Sequence, residues 1–390
     1  MAGPHQGSCE QRVSWGKMRV RVSAEVKLVG AWLVATRTVL WGVGLVSREI
    51  LQPFLPVQEP GAPFTTNQAL AVWGHWDTRW YLDIARRGYS AEPIPETGEA
   101  NYAFFPLYPL LVRALAVFLG DVYLAGLIVS NASLLVAGIL LYRLTAFEDD
   151  EVTARRAVKY LFLLPTAFVF SGVLSESLFV AVSVGAFYAT RRNRWWLAGL
   201  LGGCAALSRP QGVLLILPLA WLCFADRDRR QRWLDYLPPL VLVPAGLAGW
   251  VAYTWSLTGD PLAFVNVQRA WRKVPSNPAE VLVQGLLAHA PQLRVGAWFG
   301  AVARALAFSF WRLLGFPYFL VCLAAVLPAL SSGWTSLYST PRYVASAWPL
   351  AILFAKLGRR GEVDGVAAAS LALLQGFLMV FWSNGSRMVM

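Results

Sequence analysis

Residues 73–89 contain two carboxylates, Asp77 and Asp83, whose neighbours at helical spacing differ. The stretch is typical of a helix that ends at Gly88, since glycine is common just past a helix end. Asp83 would have basic residues on both sides, at positions 79, 86 and 87, and can be held in an ion pair. We therefore interpret Asp83 mainly as a structural residue and keep a catalytic role as the alternative.

Asp77 has no basic residue three or four positions away; those positions hold Trp73, Gly74, Trp80 and Tyr81. A carboxylate in such a setting suits a general base that takes a proton from a hydroxyl group. Two alternatives are open: Asp77 caps a helix, or it pairs with a basic residue from elsewhere in the chain. The aromatic neighbours suit sugar stacking, although Trp is also common where membrane meets water.

Three residues outside this stretch could act on a phosphate or a hydroxyl group. Arg209 and Arg342 each lie at a break between apolar runs. Guanidinium groups bind phosphate in bidentate fashion and stay charged when partly buried, but here they could instead contact lipid head groups or a helix end. Glu176, between two serines, could orient a hydroxyl group or assist Asp77, or it could cap a helix.

The remaining polar residues predict no metal site. Residues 269–273 hold two arginines and a lysine, which we interpret as a solvated face that binds head groups. The four cysteines are scattered singly, and no His or Cys pair has ligand spacing, so no tightly bound transition metal is expected. We predict no cofactor and leave open a hard divalent cation that bridges Asp77 and a phosphate.

The elements that must position these residues are membrane helices. Of the 390 residues, 57% are hydrophobic and 14% are charged, which is more apolar than a soluble globular chain. A span of the ~30 Å hydrocarbon core takes roughly 20 apolar residues. We predict an all-α polytopic membrane protein, which excludes a disordered chain, a coiled coil and a separate globular enzyme. The net charge of +12 is interpreted as loop arginines that set orientation and not as nucleic-acid binding.

The basic clusters predict the topology, because loops rich in Lys and Arg face the cytoplasm. The clusters that must share this side are 17–27, 155–159, 191–194, 227–232 and 356–360. The predicted spans, eleven in number, are 28–48, 122–144, 157–171, 177–190, 195–208, 210–224, 237–257, 296–311, 314–331, 343–357 and 364–383. The run 104–119 contains two prolines and Arg113, so we place it in the outer interface without crossing.

The chain is thus predicted to be one membrane domain over residues 1–390. It would comprise a first helix at 28–48, a large outer loop at 49–121 with interfacial helices, a bundle at 122–257, a second outer loop at 258–295 and carboxyl-terminal helices at 296–390. No small-residue cleavage site follows the basic amino-terminal segment in the right place, so the first helix is expected to remain uncleaved.

Five motifs occur in order along the chain. The first runs from His75-Trp76-Asp77 to Tyr89 and continues from Phe104 to Arg113. The others are Ser175-Glu176-Ser177-Leu178-Phe179, Ser208-Arg209-Pro210-Gln211-Gly212, Gly259 to Phe264 with Gln268 and Trp271, and Pro341-Arg342-Tyr343. In this order they resemble the PIG-V-type mannosyltransferases, the family of GPI mannosyltransferase II, over about residues 70 to 350. Pro210 and Gln211 depart from the Arg-Ser-Asn-Gly-like string of that family.

The resemblance implies a GT-C-type bundle of membrane helices with membrane-parallel helices in a large first outer loop. It also implies mannosyl transfer, with inversion, from polyprenyl-phosphate-mannose to a glycolipid or glycan acceptor. Asp77 would be the catalytic base, with Glu176 and Asp83 as further catalytic candidates, and Arg209 and Arg342 would bind the donor phosphate. Donor or acceptor contacts are expected from His75, Trp76, Arg79, Trp80, Tyr108, Gln268 and Tyr343.

Other functions stay open at this point. Mannose rests on the resemblance alone, so another polyprenyl-phosphate sugar, such as glucose or arabinose, is an alternative. A transporter or lipid flippase would also contain many spans with arginines among them, although its polar residues would be expected at mid-membrane and not in outer loops. The excess of arginine over lysine favours a bacterial plasma membrane with the site facing outside. A eukaryotic protein would place the site in the endoplasmic reticulum lumen.

Overall fold

The structure is a computed structural model that describes residues 23–51, 54, 64–226 and 230–389, and the regular elements in these ranges are all helical. The longer helices are α1 Ala24–Leu51, α2 Thr78–Arg87, α3 Leu107–Leu119, α4 Val122–Glu148, α5 Glu151–Leu163, α6 Glu176–Arg191, α7 Trp195–Ser208, α8 Ile216–Phe224, α9 Leu242–Thr258, α10 Pro278–Leu287, α11 Pro291–Ser309, α12 Phe316–Leu330, α13 Thr340–Ala345, α14 Pro349–Leu357 and α15 Gly361–Ser383. Single-turn helices lie at Gln68–Ala71, Trp233–Tyr236, Ala263–Asn266 and Trp311–Leu314. The 3₁₀ turns are Asn101–Ala103, Ala167–Ser171, Pro210–Leu215, Pro238–Val241, Val267–Trp271, Trp334–Ser339 and Arg387–Val389.

Four helices of the described ranges are long and apolar enough to cross a membrane. They are α1, α4, the segment Pro238–Thr258 that contains α9, and α15. Shorter apolar helices are α3, α7, Pro210–Phe224, α10 and α12. The prediction of an all-α membrane protein is confirmed in this coarse form, while the count of eleven spans stays a prediction. Cys9, most of the basic cluster at 17–27 and residues 227–229 lie outside the described residues.

Two of the predicted spans are not continuous helices. In the span predicted at 157–171, the α-helix ends at Leu163. Pro165 disfavours helical backbone at the preceding residue, Leu164, whose ψ is 140°. The span predicted at 343–357 is divided into α13 and α14, with the break before Pro349. Sequence hydropathy did not show these interruptions, since the residues on both sides of each break are apolar.

The break after α5 leaves a buried segment at 164–175 that is not α-helical and leads directly into α6. Side chains from three helices donate to its carbonyl groups: Arg37 Nη1 at 2.9 Å, Gln375 Nε2 at 2.9 Å and Ser130 Oγ at 2.6 Å. In return, Thr166 Oγ1 donates to the Pro341 carbonyl at 2.8 Å. Irregular backbone that is buried requires such internal partners, because its polar groups cannot reach water. They fix the position at which α6 begins.

The bundle packs around α4, which contacts α3, α5 and α6, while α6 packs on α7 and α7 on α9. On the other side, α1 packs on α15 and α5 on α14. The core between these helices contains fully buried aromatic side chains, among them Tyr160, Phe168, Phe187 and Trp348. Burial of such large apolar groups fixes the relative positions of the helices that carry the candidate site.

Helix α3 is the segment predicted to lie in the interface. Its 13 residues span about 20 Å at 1.5 Å per residue, which is shorter than the hydrocarbon core. It exposes the apolar side chains Leu110, Val117 and Phe118. The helix begins at Leu107 and not at Phe104, so Phe104 and Phe105 are free to pack elsewhere. Its placement relative to the membrane stays a prediction.

Candidate functional site

Asp77 lies at the start of α2, directly after a left-handed residue. Trp76 has a φ of 54°, a conformation that bulky side chains rarely adopt and that marks a locally constrained backbone. Asp77 occupies the N-cap position of α2, but its side chain makes no capping hydrogen bond. Helix capping, one of the two alternatives for this carboxylate, is therefore not what the structure contains.

The other alternative is present, because Asp77 pairs with an arginine distant in the chain. Arg342 Nη1 donates to Asp77 Oδ2 at 2.8 Å. Arg342 also donates to Glu176 Oε1 through Nε at 2.8 Å and approaches it with Nη2 at 2.7 Å, and Arg209 Nη1 lies 2.8 Å from the same oxygen. These four residues form the charge cluster, in which two carboxylates balance two guanidinium groups.

Exposure distinguishes Asp77 from the other members of the charge cluster. The side chains of Glu176, Arg342 and Arg209 are 0%, 4% and 8% exposed, whereas that of Asp77 is 25% exposed. Buried charges of this kind are stable only when they are paired. Asp77 is thus the carboxylate of the cluster that a ligand can reach.

Local structure explains how Arg209 reaches the charge cluster. It is an extended residue between α7 and the 3₁₀ turn that begins at Pro210. The turn folds back so closely on α7 that a Cβ on Gly212 would lie 2.1 Å from the Ala205 carbonyl oxygen. Only glycine permits this approach, and the approach directs the hairpin and Arg209 toward α6 and α13.

Tyr81 lies beside the charge cluster, with its hydroxyl group 2.9 Å from Ser175 Oγ. Burial raises the pKa of the Tyr81 phenol well above its usual value, and the negative charge of Glu176 raises it further. The hydroxyl group therefore keeps its proton and can donate a hydrogen bond, but it cannot act as the base.

A cavity of about 630 Å³ opens on the charge cluster and is lined by Asp77, Arg209 and Arg342. Its opposite wall comes from the predicted second outer loop, including Gln268 and Trp271, and further lining comes from the end of α12 and the turn Trp334–Ser339. A volume in this range is typical of small-molecule sites.

An aromatic group forms one side of the cavity. Phe104 and Trp271 line it, while Trp80 stacks behind Phe104 at a centroid distance of 5.6 Å. Trp271 meets both rings edge-on, at 5.8 Å from Trp80 and 6.0 Å from Phe104. Such rings offer an apolar surface to a sugar. Trp80, predicted to contact the ligand, supports this surface from behind.

Gln211 is a lining residue that the sequence did not identify as functional. Its side chain is buried, and neither Nε2 nor Oε1 has a hydrogen-bond partner among the described residues. An amide supplies both a donor and an acceptor, and leaving both unused when buried is costly. The arrangement suits a ligand with hydroxyl groups.

The structure brings Asp77, Arg209, Arg342, Gln268 and Tyr343 to the cavity from positions far apart in the sequence. Tyr343 lies under Arg209, whose guanidinium carbon is 4.9 Å from the ring centroid. These residues are the part of the predicted site that the structure assembles.

Several predicted residues do not line the cavity. Glu176 is fully buried behind the two arginines, so direct catalysis by its carboxylate is not supported. Asp83 lies outside the cavity lining; it accepts a hydrogen bond from Asn101 Nδ2 at 3.1 Å and lies 3.8 Å from Arg87 Nε. Arg79 pairs with Glu99 at 2.6 Å instead of with Asp83, and it does not line the cavity either.

Three more of the residues predicted to contact the donor or acceptor do not line this cavity, because helix packing buries their rings elsewhere. His75 meets Trp382 edge-on at 5.4 Å. Trp76 is buried outside the lining. Tyr108 is fully buried on α3, where its hydroxyl group donates to the Gly126 carbonyl at 3.1 Å and lies 2.8 Å from Ser130 Oγ.

The basic group at 269–273 was interpreted as a head-group-binding face, but Arg269 and Lys273 line the cavity and Arg272 does not. Arg387 also lines the cavity and lies beyond the last motif. Within the described ranges, no group of three His, Cys, Asp or Glu residues is placed to hold a metal ion.

The chain is similar to a family of mannosyltransferases. The family model Mannosyltransferase (PIG-V) matches residues 38–226, just under half of the chain. GPI mannosyltransferase 2 of Schizosaccharomyces pombe is 28% identical over 146 residues, which are 36% of this chain and 30% of the yeast protein. The chain thus matches under a third of the length of that relative. The resemblance to PIG-V mannosyltransferases that the motifs predict is confirmed.

Among solved structures, the chain is similar to Archaeoglobus fulgidus oligosaccharyltransferase tethered with an acceptor peptide, with 13% identity and a TM-score of 0.44. The match covers 91% of this chain and 55% of the archaeal one. The oligosaccharyltransferase AglB of Archaeoglobus fulgidus, in complex with an inhibitory peptide and a dolichol-phosphate, matches with 12% identity and a TM-score of 0.42, over 92% of this chain and 56% of the other.

Proposed function

We propose that this chain transfers a mannosyl residue from polyprenyl-phosphate-mannose to a hydroxyl group of a glycolipid or glycan acceptor at the outer face of the membrane. The family match and the yeast relative support mannosyl transfer. One observation carries the proposal: Asp77 lines the cavity with one carboxylate oxygen held by Arg342. Its other oxygen, Oδ1, has no hydrogen-bond partner within the described residues.

This arrangement suits a general base. Arg342 fixes the orientation of Asp77, and Oδ1 can accept the proton of the acceptor hydroxyl group. The acceptor oxygen then attacks the anomeric carbon, and the bond to the phosphate oxygen breaks with its electron pair. A single displacement of this kind inverts the anomeric centre. Glu176 acts as a positioning residue, because it balances both arginines without reaching the cavity.

The sugar would lie against the aromatic side of the cavity. Phe104 and Trp271 offer ring surfaces, and the unpartnered amide of Gln211 offers a donor and an acceptor to sugar hydroxyl groups. A site built to bind hydroxyl groups discriminates against ligands that lack them. This chemistry fits a sugar and does not by itself distinguish mannose from other sugars.

The GT-C-type topology with eleven spans and the site facing outside belongs to the same proposal. Three of the basic clusters assigned to the cytoplasmic side make ion pairs with acidic residues from other parts of the chain. Lys159 lies 2.6 Å from Asp364, Lys356 lies 3.1 Å from Asp149, and Arg191 pairs with Glu148. Each pair joins a cluster to an acidic residue on or directly after another helix, and this supports placing the clusters on one side.

The test is a transfer assay with purified protein in detergent or nanodiscs. Polyprenyl-phosphate-mannose is supplied with a panel of glycolipid acceptors, and products are identified by mass spectrometry. We expect a product heavier by one hexose that forms far more slowly with the Asp77→Asn variant. Parallel assays with glucose and arabinose on the same polyprenyl-phosphate carrier test which sugar the protein transfers. Movement of labelled lipid across proteoliposomes without any new product would support a flippase and overturn the proposal.

A further inference from the structure

Apart from Arg387, the cations that line the cavity differ in whether a carboxylate balances them. Arg209 and Arg342 are balanced by Glu176 and Asp77. Glu99 also lines the cavity, but it pairs with Arg79 at 2.6 Å. Arg269 and Lys273, which we name the rim pair, have no carboxylate partner in the part of the chain that the structure describes. The rim pair therefore leaves positive charge available to a ligand.

The backbone turns the rim pair toward the cavity and Arg272 away from it. The 3₁₀ turn Val267–Trp271 ends at Arg272, which is left-handed with a φ of 55°. The Lys273 N–H then donates to the Gln268 carbonyl at 3.1 Å, so Lys273 folds back beside the turn. Thr335 Oγ1 anchors this turn by donating to the carbonyls of Trp271 and Arg272, each at 3.1 Å.

We propose that the rim pair binds the lipid phosphate of the donor and of the departing product, in place of Arg209 and Arg342; this rests on the proposed function. The donor is a phosphodiester with one negative charge. When the bond from the anomeric carbon to the phosphate oxygen breaks, its electron pair stays on that oxygen and the lipid phosphate becomes a dianion. The rim pair gains attraction as this charge develops, so it stabilises the transition state more than the bound donor.

The charge cluster has a different task in this scheme. Its carboxylates already neutralise Arg209 and Arg342, so an incoming phosphate would have to compete with Glu176 for them. Breaking a buried pair leaves an uncompensated charge and is costly. The two arginines are better suited to hold Asp77, while the more exposed rim pair adapts to the changing phosphate charge.

The experiment measures binding of geranylgeranyl phosphate, a lipid phosphate monoester, by calorimetry in a neutral detergent. Arg269→Gln and Lys273→Gln are expected to weaken binding about five- to tenfold each, the range for lost charged hydrogen bonds at a partly screened site. Arg272→Gln is the matched control, since it removes the same charge from the same turn outside the cavity; it should stay within about twofold of wild type. Equal losses in all three variants would overturn the proposal.

A second readout separates the charge effect from structural damage. The methyl phosphodiester of the same lipid carries one charge, so wild type should prefer the monoester, and this preference should shrink in the Arg269→Gln/Lys273→Gln variant. Inorganic phosphate in competition tests whether the lipid chain is needed. If phosphatidylglycerol in nanodiscs displaces the monoester, the rim pair binds bulk head groups and the proposal is wrong.

The two proposals can fail separately. Mannosyl transfer with lipid-phosphate binding that does not depend on the rim pair would overturn this inference and leave the function intact. Rim-dependent binding of the monoester with no transfer to any acceptor would overturn the proposed function and leave the phosphate assignment intact.

Discussion

Asp77→Asn should abolish most turnover while leaving the fold in place. Loss of a general base typically lowers the rate by ~10²–10⁴, which is about 3–5 kcal/mol of transition-state stabilisation. The substituted amide would keep an oxygen to accept the hydrogen bond from Arg342, and Arg342 keeps its contacts with Glu176 at 2.8 and 2.7 Å. Because the Asp77 side chain is a quarter exposed, we expect a loss of only about 1 kcal/mol in unfolding free energy.

The assay compares initial rates at saturating donor and acceptor with monodisperse protein. Asp83→Asn is the matched control, since it makes the same change six residues later, within α2 and outside the cavity. That variant should retain activity in proportion to folded protein. Donor binding, measured separately, should change little with Asp77→Asn.

Near-wild-type turnover of Asp77→Asn would refute the assignment of the base. Equal losses in Asp77→Asn and Asp83→Asn would also count against it, because they would indicate that both substitutions act through folding. A lower rate accompanied by a large loss of donor binding would instead indicate that Asp77 contributes to binding.

Three further predictions rest on the same geometry. Glu176→Gln should lower the free energy of unfolding by about 3–5 kcal/mol, because it leaves two buried guanidinium groups without their shared carboxylate. Chemical denaturation in detergent measures this loss, and a loss no greater than that of Asp77→Asn would contradict the prediction. Gln211→Leu should weaken donor binding about two- to tenfold without lowering thermal stability, since the Gln211 amide has no protein partner to lose among the described residues. A fall in melting temperature with unchanged donor binding would instead show a structural role. Leu119→Cys, in a cysteine-free background, should react with an impermeant maleimide only from outside, because α3 is proposed to lie in the outer interface; labelling only from the cytoplasm would overturn the topology.

The local sequence determined the membrane helices, and their interruptions could in part be read from it. Apolar runs specify helices such as α4 and α15 because a bilayer-spanning segment must satisfy its own backbone hydrogen bonds. The break at Pro165 follows from a local rule that hydropathy ignores, so the span predicted at 157–171 was too long. Motif order indicated the family, since each motif is a string of neighbouring residues.

Only the tertiary structure decided what those motifs do. Helical spacing correctly showed that Asp77 has no partner within α2, but its partner Arg342 lies 265 positions away and is brought close by packing of α13 against the rest of the bundle. Spacing likewise could not show that Tyr108 bonds to α4 or that Lys273 turns into the cavity while Arg272 does not. Side-chain direction depends on which faces of the helices meet, and that is fixed by the packing of the whole bundle and not by any local stretch.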